Sequence, residues 1–553
     1  MKYPLRHVLA GMLLLLLLPL ASLAGENRNL QRVDPDGARG ALVIAGGGSL
    51  PAEVIDRFIA LAGAGQAHLV IIPTASSRAD DPALEEQLLA PWQARPHASL
   101  QLLHTRDREQ ADDAGFIKPL TVATGVWLMG GQQQRIADAY AGTRFEAELL
   151  KLLDRGGVVG GSSAGAAVQS RLMIASGKTE AVISTGFDLL PGTVLDQHFS
   201  TRNRIGRLKG VVDKFPGQLG LGIDESTALV VNGRFIRVVG SGTVTLCLGK
   251  TENHEAKQVI YESGQVLDLT SMRRLARDRN GALFPASEPD SPRVKRGSLV
   301  IVGGGGMPPD VVSRFIELAG GPDALIVILP TAVPDPIPPN TGASFFERAG
   351  ATNVKVLTAR RQEDVESPEN LRWLKKADAI WFGGGRQWRF VDAYEATRAA
   401  PLMHRVLARG GVIGGSSAGA SIQAGFLARG NPLGNRDIMA PGYTRGLGFL
   451  KGVAVDQHFA QRNRFPDMAS LVDRHPQLLG IGIDESTALV VRQSVGTVMG
   501  KGEVHFYDWR TRPAEGEADH LSLGKGKQYD LESRSMVKQP PDGGKEPEDR
   551  PGR

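Results

Sequence analysis

"VVGGSSAGAAVQS", Val158 to Ser170, is the stretch on which the reading of this chain turns. A β-branched pair, two glycines, two serines and a run of small helix-compatible residues spell a strand, a tight turn and a helix. Within it Gly161-Ser162-Ser163-Ala164-Gly165 has the G-x-S-x-G form of a nucleophile elbow. The serine at the tip of such a turn is strained, so bulky neighbours would clash, and the helix start behind it can offer backbone N–H groups to an oxyanion. The same five letters also build phosphate-binding and purely structural turns, and alone they leave both readings open.

The heptad GGSSAGA at Gly160–Ala166 recurs letter for letter at Gly414–Ala420, and the rest of the chain follows the same displacement. "LVIAGGGSLPAEVIDRFIALAG" from Leu42 answers "LVIVGGGGMPPDVVSRFIELAG" from Leu299, "VLDQHFSTRNR" answers "AVDQHFAQRNR", and "LGLGIDESTALVV" answers "LGIGIDESTALVV". The displacement is 254 at the serines and 260 at His198 and His458, so six extra residues lie between serine and histidine in the second half. Two units of domain size are a duplicated fold and not a short-period solenoid. The reading divides the chain into a leader over 1–24, a first domain over 38–284, a Pro- and charge-rich linker over 285–297, a second domain over 298–536 and an unstructured tail over 537–553.

In each half, short apolar β-branched runs end in Gly or Pro and are followed by amphipathic stretches such as "AEVIDRFIALAG". This alternation predicts an α/β fold with a mainly parallel sheet covered by helices on both faces, and ligands beyond the strand carboxyl ends, where the glycines cluster.

With 42% hydrophobic and 22% charged residues over 553 positions, the composition is globular and not disordered. The net charge of +5 includes Lys2 and Arg6 of the leader, and no basic run remains that would serve nucleic acid. The leader itself, a basic start, an apolar run and small residues at Ser22 and Ala24, reads as a secretory signal cut after Ala24. Its apolar stretch falls short of the ~20 residues of a membrane span. A secreted or periplasmic protein without stable membrane insertion is expected. The single cysteine, Cys247, excludes an intramolecular disulfide and cysteine-ligated zinc, and "TVTLCLG" reads as a buried strand.

A serine needs a base, usually histidine, itself oriented by a carboxylate. His198 and His458 recur inside DQHF, and Asp224-Glu225 and Asp484-Glu485 recur inside GIDESTAL. Repetition beside a repeated elbow weighs against the plainer reading of a core histidine. The order serine, histidine, acid sets the chain apart from α/β-hydrolases, in which the acid precedes the histidine.

GGSSAGA, DQHFxxRxR and GIDExTAL together resemble the cyanophycinase and peptidase E family of serine peptidases, over nearly all of both halves. The resemblance implies two tandem domains with a class I glutamine amidotransferase-like, flavodoxin-like fold carrying serine in place of cysteine. It implies nucleophiles Ser163 and Ser417, bases His198 and His458, and orienting acids Glu225 and Glu485 in preference to Asp224 and Asp484. The family's GG-D-Q motif falls on Gly130-Gly131-Gln132-Gln133 and Gly384-Gly385-Arg386-Gln387, which places its glutamine at Gln133 and Gln387 and leaves its aspartate replaced in both halves.

The implied substrate is cyanophycin, an aspartate backbone with arginine on each β-carboxyl, cleaved to β-Asp-Arg dipeptides. A site for it must bind carboxylates and a guanidinium together. Arg202, Arg204 and Arg207 can fork onto carboxylates, and Asp196 or Gln197 can take the arginine head. The second half offers Asp456, Gln457, Arg462 and Arg464, with Asp467 where the first has Arg207. The plain alternative for each arginine is a solvated loop. Export suits a hydrolase of a polymer that cannot enter a cell. The competing readings are an aspartyl or isoaspartyl dipeptidase of the same family, and a polymer-binding protein in which one or both halves are inactive. No metal or organic cofactor is implied, and the halves are expected to pair within one chain as family members pair between chains.

Overall fold

The computed structural model describes residues 33–514 and 516–538. The leader over 1–24 and all but the first two residues of the tail over 537–553 lie outside the described residues. Val537 is still bonded in place, its amide donating to the Gln528 carbonyl. Among the described residues no helix is long and apolar enough to cross a membrane.

Each half is built on one large sheet. In the first, β1 (Ala41–Ala45), β2 (His68–Ile72), β3 (Ser99–Leu102), β4 (Gly125–Leu128) and β5 (Val158–Ser162) run parallel in the order β3-β2-β4-β5-β1. Helices cover both faces, so β1 and β4 are buried at every residue, which is why they read as unbroken apolar runs. Helix Ala52–Leu61 shows how the covering works. Its buried residues, Val54, Ile55, Phe58 and Ile59, fall on one stripe, and Phe58 meets Trp127 of β4 edge to face at 5.1 Å.

Beyond β1 the sheet turns antiparallel through Thr227–Asn232, Phe235–Gly240 and Val266–Asp268. The second half repeats this plan with five parallel strands, Val294–Val302 taking the place of β1, followed by an antiparallel extension. The fold is the α/β duplication expected, with one addition. The DQH strand Thr193–Gln197 and the strand Leu219–Ile223 belong to a second, four-stranded mixed sheet, completed by Val244–Leu248 and Lys257–Tyr261. GIDESTAL is therefore the place where the chain leaves one sheet at Ile223 and enters the other at Thr227. Cys247 is buried in the second sheet as expected, and burial pushes its thiol up to about 12.

The linker expected over 285–297 is shorter, because strand Val294–Val302 begins inside it, with Val294 paired to Gln493 across a bulge. The residue just before it and the first part of it are also held. Phe284 stacks on Phe426, the Gln477 side chain donates to the Ala286 carbonyl at 3.1 Å, and Lys451 pairs with Asp290 at 2.6 Å.

The two halves meet across a buried ionic network. Arg234 joins Asp268 of its own half to Asp392 of the other at 2.6 Å and to the Tyr443 hydroxyl at 2.7 Å. Arg274, on helix Leu269–Arg279, is fully buried between Asp392 at 2.5 Å and Glu395 at 3.0 Å. These contacts join unlike patches: the antiparallel edge and following helix of the first half, and the helix Trp388–Tyr394 with its neighbours in the second.

Candidate active site

The glycines of GGSSAGA answer to close approaches. A Cβ at Gly160 would overlap the Trp127 ring, one at Gly161 the Gly165 carbonyl, and one at Gly165 the Leu128 carbonyl, with Gly414, Gly415 and Gly419 repeating the pattern. Strand, turn and helix can lie this tightly only without side chains. The turn holds Ser163 at φ 52° and ψ −106° and Ser417 at φ 57° and ψ −114°, left-handed values that a serine adopts only under constraint. The helix behind is shorter than its sequence suggests, a single turn Ala164–Ala167.

Ser163 Oγ lies 2.8 Å from His198 Nε2, and His198 Nδ1 lies 2.6 Å from Glu225 Oε1. Ser417, His458 and Glu485 repeat both distances. With Nδ1–H donating to the carboxylate, Nε2 is left to accept the serine proton. Burial lowers both histidines from their ordinary value, although the carboxylate pulls the other way, so each is neutral and basic at pH 7. The neighbouring aspartates are spent on structure. Asp224 accepts from the Ser200 amide at 3.0 Å and from the Thr243 amide and hydroxyl, and Asp484 from the Ala460 and Glu503 amides.

What aligns these groups is the loop after β1, which the sequence reading passed over as one more glycine cluster. Three successive carbonyls each hold one of the converging turns: Ala45 accepts from the Ser163 amide, Gly46 from His198 and Gly47 from Ser226, at 3.0, 2.7 and 2.9 Å. Val302, Gly303 and Gly304 do the same for Ser417, His458 and Ser486. Gly47, at φ 103°, lies flat on the imidazole, where a Cβ would stand 2.6 Å from His198 Nε2. The signal was in plain view, since GGG recurs as GGGG at the same place in the second copy.

The residues expected to hold substrate divide into four groups. Arg202 and Arg462 are exposed beside the histidines, and among the described residues neither has a carboxylate partner. Gln133 and Gln387 are buried and donate to the Ile174 and Ala428 carbonyls at 2.7 and 2.8 Å. Gln197 and Gln457 are buried with their side-chain carbonyl oxygens unpartnered.

Asp196, Asp456 and Arg207 are corrected, and Arg204 and Arg464 are each paired with the buried aspartate of their own half. Asp196 and Asp456, expected to receive a substrate guanidinium, are fully buried and already neutralised within the protein, as a buried carboxylate must be. Asp196 is held by Arg207, with Nε at 3.0 Å, and by Arg204. Arg207 also donates to the Gly177 carbonyl, and Arg204 to that of Gln197 at 2.6 Å, so both serve as struts. Asp456 is held by Arg464 at 2.8 Å and by Arg429, a residue the sequence reading missed. Arg429 supplies the positive charge that position 467 lacks, pairing with Asp456 and with Asp467 as well, at 2.5 Å. Its other nitrogen donates to the Asn435 and Arg436 carbonyls, which fixes the loop that contains the six extra residues.

A family model described as Peptidase family S51 matches residues 42–239 and again 299–498. The cyanophycinase of Trichormus variabilis is 33% identical over 235 residues, covering 40% of this chain and 78% of that protein. The cyanophycinase of Geminocystis herdmanii is 32% identical over 211 residues, covering 36% and 77%. Among solved structures, a peptidase from an acI-B1 actinobacterium aligns at 24% identity with a TM-score of 0.34, over 43% of this chain and 98% of its own.

Proposed function

The chain belongs to peptidase family S51 in both its halves, and from that premise we propose that it is an exported hydrolase of cyanophycin that releases β-Asp-Arg dipeptides through two Ser-His-Glu sites. The relationship makes it a serine peptidase, and the observation that carries the finer reading is the repeated alignment of serine, histidine and glutamate at 2.8 and 2.6 Å. The cyanophycinase relatives support the polymer as substrate, and the leader over 1–24 supports export.

The chemistry follows from the alignment. Oγ of Ser163 or Ser417 attacks the scissile carbonyl while Nε2 of His198 or His458 takes its proton. The imidazolium, steadied by Glu225 or Glu485, returns that proton to the departing amine as the C–N bond breaks, leaving an ester on the serine. Water, deprotonated by the same imidazole, then cleaves the ester and restores the serine. Arg202 and Arg462, exposed and unneutralised, are placed to attract the carboxylates of the substrate.

The test is release of β-Asp-Arg from insoluble cyanophycin by the unmodified chain, Ser163→Ala, Ser417→Ala and the double variant. Loss of a nucleophile costs about three or more orders of magnitude at its own site, so turnover that survives each single change and vanishes in the double one establishes two working sites. No release by the unmodified chain ends the cyanophycin reading. Export is checked by the N-terminus of the protein recovered outside the cytoplasm, expected at Gly25.

A further inference from the structure

Beside Ser417 lies a cavity of about 250 Å³ whose wall is cationic, with Arg386, Arg429, Arg462 and Arg464 among its lining residues and no carboxylate. Two of the four are neutralised behind the wall, since Arg429 and Arg464 are matched by Asp456 and Asp467. Arg386 and Arg462 are not: among the described residues neither has a carboxylate partner. Arg386 donates one nitrogen to the Asn431 and Gly434 carbonyls, at 2.6 and 2.7 Å, while its Nε is buried without a partner. Burial also lowers its guanidinium from the ordinary value, and no carboxylate opposes that. A half-buried guanidinium on a cavity wall, with no carboxylate partner among the described residues, is a site for an anion.

The first half has no counterpart. The position of Arg386 is there taken by Gln132, exposed and neutral, and the pinned loop around Asn435 gives way to the two-stranded hairpin Leu172–Ser176 and Val182–Thr185. Arg202 answers to Arg462, so the two sites differ by one unneutralised guanidinium near the nucleophile.

We propose that the two sites differ in charge preference, the Ser417 pocket holding an acidic side chain against Arg386 in addition to what both sites bind, whereas the Ser163 site has no such contact. This rests on the reading of Ser417 as a nucleophile, and its consequence is a chain that handles both arginine-bearing polymer and acidic peptides. Arg386 acts by binding, so its effect falls on affinity and KM.

The test uses two dipeptides that differ by one charge, β-Asp-Glu and β-Asp-Gln. In the Ser163→Ala/Ser417→Ala chain, which binds without turnover, calorimetric titration is expected to show β-Asp-Glu held about tenfold tighter, the scale of a charge-assisted hydrogen bond. The preference should vanish in the same chain with Arg386→Gln and persist in part with Arg386→Lys, which separates the charge from the support given to the loop. In turnover of cyanophycin, β-Asp-Glu should inhibit the Ser163→Ala chain more strongly than β-Asp-Gln does, and the two should inhibit the Ser417→Ala chain equally. Equal affinity for the two dipeptides, no measurable binding of β-Asp-Glu, or a preference that survives Arg386→Gln would overturn the proposal. Binding with the expected preference in a chain that hydrolyses nothing would instead sink the peptidase reading and leave the acidic pocket standing.

Discussion

Gly47 has its φ at 103° and its Cα against the imidazole of His198, so the missing side chain is what allows the base to reach the serine. Gly47→Ala should displace the ring, and a shift of that size costs roughly a hundredfold in turnover at the first site. The matching change at Gly304 should do the same to the second. Each is read in a chain whose other nucleophile is alanine, and unchanged turnover in either would show that the loop yields without moving the histidine. The titration of the same ring can be measured directly. Burial holds His198 and His458 below their ordinary value of about 6.5, so the active, neutral base survives into mildly acidic solution. The acidic limb of the kcat/KM profile should therefore fall below pH 6.5, with activity lost only as pH drops through the lowered value. A limb above 6.5 would mean that the carboxylate outweighs burial.

At the scale of elements, the two copies solve one problem by different routes. The buried aspartate of the DQH strand is neutralised from helix Ile205–Lys214 in the first half, by Arg207, and from the loop after strand Ala424–Leu427 in the second, by Arg429. Arg429→Ala should cost about 3–5 kcal/mol of stability in urea, because it strands a buried carboxylate. Adding Asp467→Arg, which restores the arrangement of the first half, should recover much of it. No loss on Arg429→Ala would leave Arg464 as the sufficient partner. Such exchanges mark where sequence reading stops. That a serine, a histidine and a carboxylate converge was legible because their types, order and spacing recur in both halves, and the parallel sheet because its strands are uninterrupted apolar runs. The second sheet was not, since a buried run such as "LGLGI" looks the same whichever sheet receives it. Asp196 was misread for a related reason: a charge beside Gln197 and His198 suggests exposure until Arg207, eleven positions on, is known to fold back over it.

At the scale of the molecule, the halves are locked by charges that water does not reach. Asp392 serves Arg234, Arg274 and Tyr443 at once, and Asp392→Ala would leave a fully buried guanidinium with Glu395 alone. About 3–5 kcal/mol should be lost, and the halves should begin to unfold separately in calorimetry. A single transition at the original temperature would mean that apolar contact suffices. The same lock has a further consequence. Because it joins unlike patches, each half also carries the patch its partner uses, and a surface of that kind could in principle recruit another copy and continue without limit. Both spare patches are incomplete: the place of Arg234 is taken by Ser494 and that of Glu395 by Ala141, while Asp138 keeps the carboxylate of Asp392. The outer ends of the tandem therefore lack the full set of charges that closes the seam between the halves.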